Sequence, residues 1–148
     1  MAFKRILCPI DFSASSQQAF ALAAQLARES GATLILAHVW EPSPWLMGES
    51  SISPEVLQDM VDTAEAELAK WGARAKDLAI KHVETRFFNG VPWDCLVREA
   101  QNDKAIDLIV MGTHGRTGLK HVLLGSVAEK TLRHAPCPVL VVRGKEAA

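Results

Sequence analysis

Cysteine is scarce and scattered. The three present, Cys8, Cys95 and Cys137, are an odd number with no CxxC pair, which argues against a disulfide framework and against a zinc site. Cys8 falls in an apolar run and Cys137 between two prolines, so inert burial is the simpler reading for both. Charge of one sign is also lacking. Sixteen basic and 17 acidic residues leave a net charge of −1, so nucleic acid and membrane surfaces are not expected as partners. No apolar run approaches the length of a membrane span, and the opening stretch, residues 1–11, is too short in apolar residues for a secretory signal. A soluble cytoplasmic chain is therefore expected. Two familiar phosphate motifs are missing as well: there is no GxxxxGK(S/T), and no GxGxxG follows the first strand-like segment, which sets aside a P-loop NTPase and an ordinary dinucleotide fold.

The sequence does hold a regular alternation. Its 148 residues, 49% hydrophobic and 22% charged, suit one globular domain over residues 1–148. Strand-like segments at residues 4–10, 32–40, 82–88, 106–111 and 139–142 alternate with four helical ones. The first helix is expected from Ala14 to Ser30, between Ser13 as N-cap and Gly31 as stop. Ser53-Pro54-Glu55 opens a long second helix, with the stripe Val56, Met60, Ala64, Leu68, Trp71, Ala75, Leu78. The third begins at Pro92 and the fourth at Ser126, ending before Pro136. Residues 82–88 alternate polar and apolar, the pattern of a strand with one wetter face at a sheet edge. The whole predicts a three-layer α/β sandwich on a mostly parallel sheet, with a ligand crevice where the loops after strands one and four meet.

The chemistry concentrates between strand four and the last helix. Gly112-Thr-His-Gly115 is followed by nine residues and then Gly125-Ser126, a connection longer than the usual two to six residues. Glycines between a strand and a helix N-terminus let backbone N–H groups approach an anion, with the helix dipole behind them. Thr113, His114, Arg116, Thr117, Lys120 and His121 add small donors and cations. Competing readings stand beside these. Ser126-Val-Ala-Glu129 is a capping box that would satisfy two helix amides without a ligand, and the loop glycines would equally serve a surface turn. Asp11 could accept from a ribose hydroxyl, hold a metal through water, or cap the next helix. Ser13 and Ser15 are better caps than nucleophiles, because no His–Asp pair is placed to activate them. His38 and His82 read as strand-end residues, and the tryptophans as packing groups, Trp45 being the one placed to stack on a ligand.

Met111-Gly-Thr-His-Gly115, the Gly125-Ser126 pair and Pro136-Cys-Pro-Val-Leu-Val-Val142 together resemble the signature of the universal stress protein family. Ile6-Leu-Cys-Pro-Ile-Asp11 and Ala37-His-Val39 resemble it as well. The resemblance implies a Rossmann-like fold of the adenine nucleotide alpha hydrolase type, with a five-stranded parallel sheet in the order 3-2-1-4-5. It implies a homodimer through the last strand, Val139, Leu140, Val141 and Val142, and an ATP-binding member, because the glycine frame is complete. Carried over by position, Pro9, Ile10 and Asp11 would line the adenine and ribose side, and Val39 would offer backbone contacts to adenine. Met111, Gly112, His114, Gly115 and Arg116 would wrap the ribose and phosphates, with Gly125, Ser126 and Val127 at the phosphate tail. Mg or Mn is expected on the phosphates, with no direct protein ligand and Asp11 acting at most through water. The function implied is a nucleotide-dependent regulator in the stress response with an unidentified protein client. The rivals are a slow ATP hydrolase or nucleotidyl transferase, and an interaction module that takes no nucleotide. No general base is poised beside the phosphates, so no catalytic residue is assigned.

Overall fold

Ser13 and Gly31 bracket the first helix as their chemistry requires. The computed structural model describes residues 2–42, 52–114 and 124–143. Helix α1 spans Ala14–Ser30; the Ser13 hydroxyl accepts from the Ser16 amide at 3.1 Å, and Gly31 closes the helix at φ 72°, a left-handed conformation that glycine adopts without a Cβ penalty. Helix α2 spans Pro54–Asp77, capped by Ser53 with proline in its first turn. Helices α3 and α4 span Pro92–Asn102 and Ser126–His134.

The strands are β1 (Arg5–Pro9), β2 (Thr33–Trp40), β3 (His82–Asn89), β4 (Leu108–Gly112) and β5 (Val139–Val142). They form one parallel sheet in the order β3-β2-β1-β4-β5. Its central strands read as near-continuous apolar runs because both faces are covered. Ile6, Cys8, Leu34, Leu36 and Val110 face Phe20, Ala23, Leu68 and Trp71 of α1 and α2. Leu7, Ile35, Ala37 and Ile109 face Leu96, Ala100 and Ala128 of α3 and α4. Burial pushes the Cys8 thiol far above its ordinary range, and burial also raises Cys95 and Cys137. All three are therefore held as thiols, unsuited to nucleophilic work.

Two elements depart from expectation. The ladder of β4 begins at Leu108 rather than Ile106, because Asp107 commits its carboxylate to the backbone amides of Lys4 and Arg5 at 2.9 and 3.1 Å. Of the expected stripe only Leu68, Trp71 and Ala75 are buried; Leu78 falls at the C-cap and is 40% exposed, and at the other end Val56 and Met60 are 49% and 37% exposed. Length explains the exposure of Val56 and Met60. Twenty-four helical residues rise about 36 Å, whereas an eight-residue strand reaches only about 26 Å. The first turns of α2 overrun the carboxyl rim of the sheet.

Strand β3 lies at the edge of the sheet, and its wetter face carries an ionic cluster that runs from Arg5 at the amino rim up to Arg86, which is level in register with Ala37 and Pro9. Arg5 bridges Glu84 at 3.1 Å and Asp103 at 2.8 Å, while Arg86 reaches Glu84 at 2.7 Å, Asp103 at 3.3 Å, and Glu99.

Candidate functional site

Strands β1 and β4 are neighbours in the middle of the sheet, yet the chain leaves them toward opposite edges. Loops that diverge in this way open a crevice at the carboxyl ends, the usual ligand position in such sheets. A cleft of about 680 Å³ lies there. It brings together Pro9, Ile10 and Asp11 from the end of β1, Val39 from β2, and Met111, Gly112 and His114 from β4 and beyond, with Gly125, Ser126 and Val127 at the mouth of α4. Gly115 and Arg116, with Thr117, Lys120 and His121 of the same loop, lie outside the described residues, as does Trp45.

Helix α4 does not open as its sequence suggests. The expected capping box is not formed: Gly125 is the N-cap, Ser126 is already the first helical residue, and among the described residues no side chain caps the helix. The backbone decides this. Gly125 N–H donates to the Thr113 carbonyl at 2.6 Å, and its own carbonyl accepts from the Glu129 amide at 3.0 Å. That pair of bonds sets the cap one residue earlier than a capping box needs. Glu129 turns its carboxylate to Arg133 instead. The first amides of α4, at Ser126, Val127 and Ala128, have no carbonyl one turn back within the helix. These three residues line the cleft.

Gly112 serves the fold first. A Cβ placed there would stand 2.1 Å from Ser15 Oγ and 2.9 Å from the Ser15 backbone. The missing side chain thus lets the first turn of α1 pack against the end of β4. Ser15 Oγ in turn accepts from the His114 amide at 3.4 Å, and the Thr113 hydroxyl sits 3.0 Å from His114 Nδ1.

Asp11 caps rather than ends in open solvent. Its Oδ1 accepts from the Ser13 amide at 2.9 Å and from the Ser13 hydroxyl, an Asx turn that leads into α1. Phe12, between them, is held at φ 68°. That left-handed conformation costs a bulky residue roughly 1–3 kcal/mol, so the surroundings must impose it.

Sequence reasoning missed several lining residues. His38, read as a strand-end residue, is 6% exposed and borders the cleft. Trp40, Glu41 and Met60 also border it. Met60 was detectable in principle, because a helix that long beside strands that short must overhang the rim. Nothing local marks Pro92 or Leu96, which reach the cleft only through the packing of α3. Among the described residues, no three His, Cys, Asp or Glu side chains are grouped to hold a metal, and no helix is long and apolar enough to cross a membrane.

Comparison with known proteins agrees with this geometry. The family model described as the universal stress protein family matches residues 2–143. A universal stress protein of Methanocaldococcus jannaschii is 37% identical over 142 residues, covering 95% of this chain and 82% of the relative. The structure of universal stress protein UspA from Lactobacillus plantarum superposes with a TM-score of 0.81 at 26% identity, over 97% of this chain and 99% of that one. A universal stress protein solved in complex with cAMP gives a TM-score of 0.73 at 30% identity, over 98% of this chain and 100% of that one. With nearly its whole length matched by the family model, and with the sheet order and central crevice in place, this chain belongs to the universal stress protein family.

Proposed function

We propose that the chain binds an adenine nucleotide, ATP in preference, in the cleft between the ends of β1 and β4. The observation that carries this reading is the glycine start of α4, whose first residues line the cleft with no capping side chain among the described residues. Such a helix end attracts an anion through both its N–H groups and its dipole. The cleft also suits the rest of the ligand. Ile10, Met111 and Leu96 provide apolar lining, and Asp11 offers a carboxylate where a ribose hydroxyl would lie. The related protein solved with cAMP supports the same ligand class.

In this reading Pro9, Ile10 and Val39 flank the base, and Asp11 takes the sugar. Gly112, His114, Gly115 and Arg116 follow the sugar and phosphates, and Gly125, Ser126 and Val127 hold the phosphate end. A divalent cation, Mg or Mn, travels on the phosphate oxygens. The chain acts in the cytoplasm as a homodimer joined through β5, where Leu140 stands 39% exposed on an apolar edge strand; pairing removes a hazard that a lone edge carries. Nucleotide occupancy shifts the surface around the cleft and thereby regulates a protein client in the stress response.

Isothermal titration of the purified chain with Mg-ATP tests the site. The wild type should give a saturable heat below millimolar concentration. Gly125→Asp would place a carboxylate on the α4 amides, keeping the helix as stable or slightly more so, and should weaken ATP by at least about tenfold, or 1.4 kcal/mol. A wild type that does not bind ATP, or a Gly125→Asp variant that binds it equally well, overturns the reading.

A further inference from the structure

His38 touches the residues on both sides of Asp11. Its Nδ1 lies 2.6 Å from the Ile10 carbonyl, and its ring stacks on Phe12 with centroids 4.4 Å apart and planes 21° from parallel. A carbonyl oxygen can only accept, so the hydrogen of this bond sits on Nδ1 and the tautomer is fixed by its partner. Phe87 of β3 closes the other side of the ring at 5.6 Å. The Ile10 amide is tied to Ala37, the residue before His38, at 2.7 Å. The β1–α1 corner is therefore fastened to the end of β2 by one backbone bond, one imidazole bond and one ring stack. Downstream, Phe12 is held left-handed and Asp11 turns onto Ser13.

We infer that His38 is a positioning residue for the ligand. It clamps residues 10–12 to β2 so that the Asp11 carboxylate is presented to the sugar of the bound nucleotide. This rests on the proposed nucleotide site, and it goes further by assigning sugar recognition to a side chain on the other face of the sheet strand that carries Val39. Both ingredients of the clamp follow from the imidazole: the Nδ1–H holds the carbonyl before Asp11, and the flat ring supports the strained residue after it.

The test is a cycle between this side chain and the sugar hydroxyls, read by titration calorimetry with Mg-ATP and with Mg-2′,3′-dideoxy-ATP. His38→Leu removes the donor and the ring but remains apolar between Phe12 and Phe87. His38→Asn retains an N–H near the position of Nδ1. In His38→Leu, ATP should weaken about tenfold and the dideoxy nucleotide less than about threefold, since it has no hydroxyls left to misplace. His38→Asn should recover most of the ATP affinity. Circular dichroism of both variants should match the wild type. Equal loss for the two nucleotides would mark a general packing role and overturn the inference, as would unchanged ATP affinity in His38→Leu or equal weakening in both variants. A wild type that binds neither nucleotide would instead bring down the site itself. An independent check is the imidazole 15N spectrum: a neutral ring protonated on Nε2 alone could not make the Ile10 bond and would also overturn the clamp.

Discussion

The two ends of the sheet are built on opposite terms. At the amino end and along the wetter face of β3, strand termini and charges are matched to partners: Asp107 accepts from Lys4 and Arg5, and two arginines share three carboxylates. At the carboxyl end, a helix starts on a glycine without a capping side chain, a phenylalanine is held left-handed, and α2 runs past the layer it packs against. Local rules of good construction are broken more often where the cleft opens, although Ala79, in the turn between α2 and β3 at the amino end, is also left-handed at φ 64°. Such exceptions cluster at functional sites because the compensation comes from packing elsewhere or from a ligand. The difference also separates two kinds of tolerance. Charges at the amino end tune stability, whereas substitutions at the carboxyl end act through close backbone approach.

The largest effect should come from Gly112, where the carboxyl end is packed tightly against α1. Gly112→Val would drive a side chain into the Ser15 hydroxyl and backbone, with the first new carbon at 2.1 and 2.9 Å. The hydroxyl could rotate away, but the backbone of α1 could not. A loss on the order of 3 kcal/mol is expected, at the upper end of overpacking costs, visible as a marked drop in the denaturant midpoint. If Gly112→Val unfolds at the wild-type midpoint, the cleft end is soft throughout and the contrast between the two ends fails.

Much of this architecture was legible from local chemistry. Ser13 and Gly31 marked α1 to the residue, the apolar runs marked the inner strands, and the alternation of residues 82–88 marked β3 as an edge. The described glycines of the frame, Gly112 and Gly125, border the cleft at the carboxyl rim. What escaped was set by tertiary partners. Ser126 and Glu129 have the spacing of a capping box, but the bond from Gly125 to Thr113 shifts the helix start. His38 looked like a strand-end polar residue because its partners, Ile10, Phe12 and Phe87, arrive from the β1–α1 corner and from β3. The ionic cluster joins residues 5, 84, 86, 99 and 103, which no sequence window contains.

A moderate effect is expected in the ionic cluster on β3. Arg86→Met keeps the length of the side chain and removes the cation that joins Glu84, Glu99 and Asp103. Since these groups are partly exposed and screened, the cost should be about 1–2 kcal/mol, below that of a fully buried pair. The pH dependence sharpens the case. The hydrogen bond from Arg5 holds the Glu84 carboxyl below its ordinary 4.5 despite burial, with Arg86 assisting. For Asp103, burial works the other way, but bonds and charge from Arg5 and Arg86 outweigh it and keep the group below 3.8. Folded carboxyls with lowered values bind protons less readily than the unfolded chain. Their stabilisation is thus complete above the ordinary values and lost as pH falls through the lower folded ones. Acid titration of stability should show a steeper loss below pH 4.5 in the wild type than in Arg86→Met. Parallel acid limbs would mean the cluster is a solvated surface feature.

The smallest effect should come from the layer between the two ends, where a single polar group sits without purpose for either. Thr131 of α4 is fully buried, and its hydroxyl has no hydrogen-bond partner among the described residues. A buried hydroxyl without a partner costs stability that an apolar group of the same shape does not. Thr131→Val keeps the branched shape and the helix preference nearly unchanged, so the variant should be as stable as the wild type or more stable by up to about 1 kcal/mol, with ATP affinity unaffected. Thermal unfolding and titration on the same samples would check both. If Thr131→Val is instead destabilised by more than about 1 kcal/mol, the hydroxyl has a partner after all, and the helix that carries the cleft's anion end is tied to the core by a polar bond rather than by packing alone.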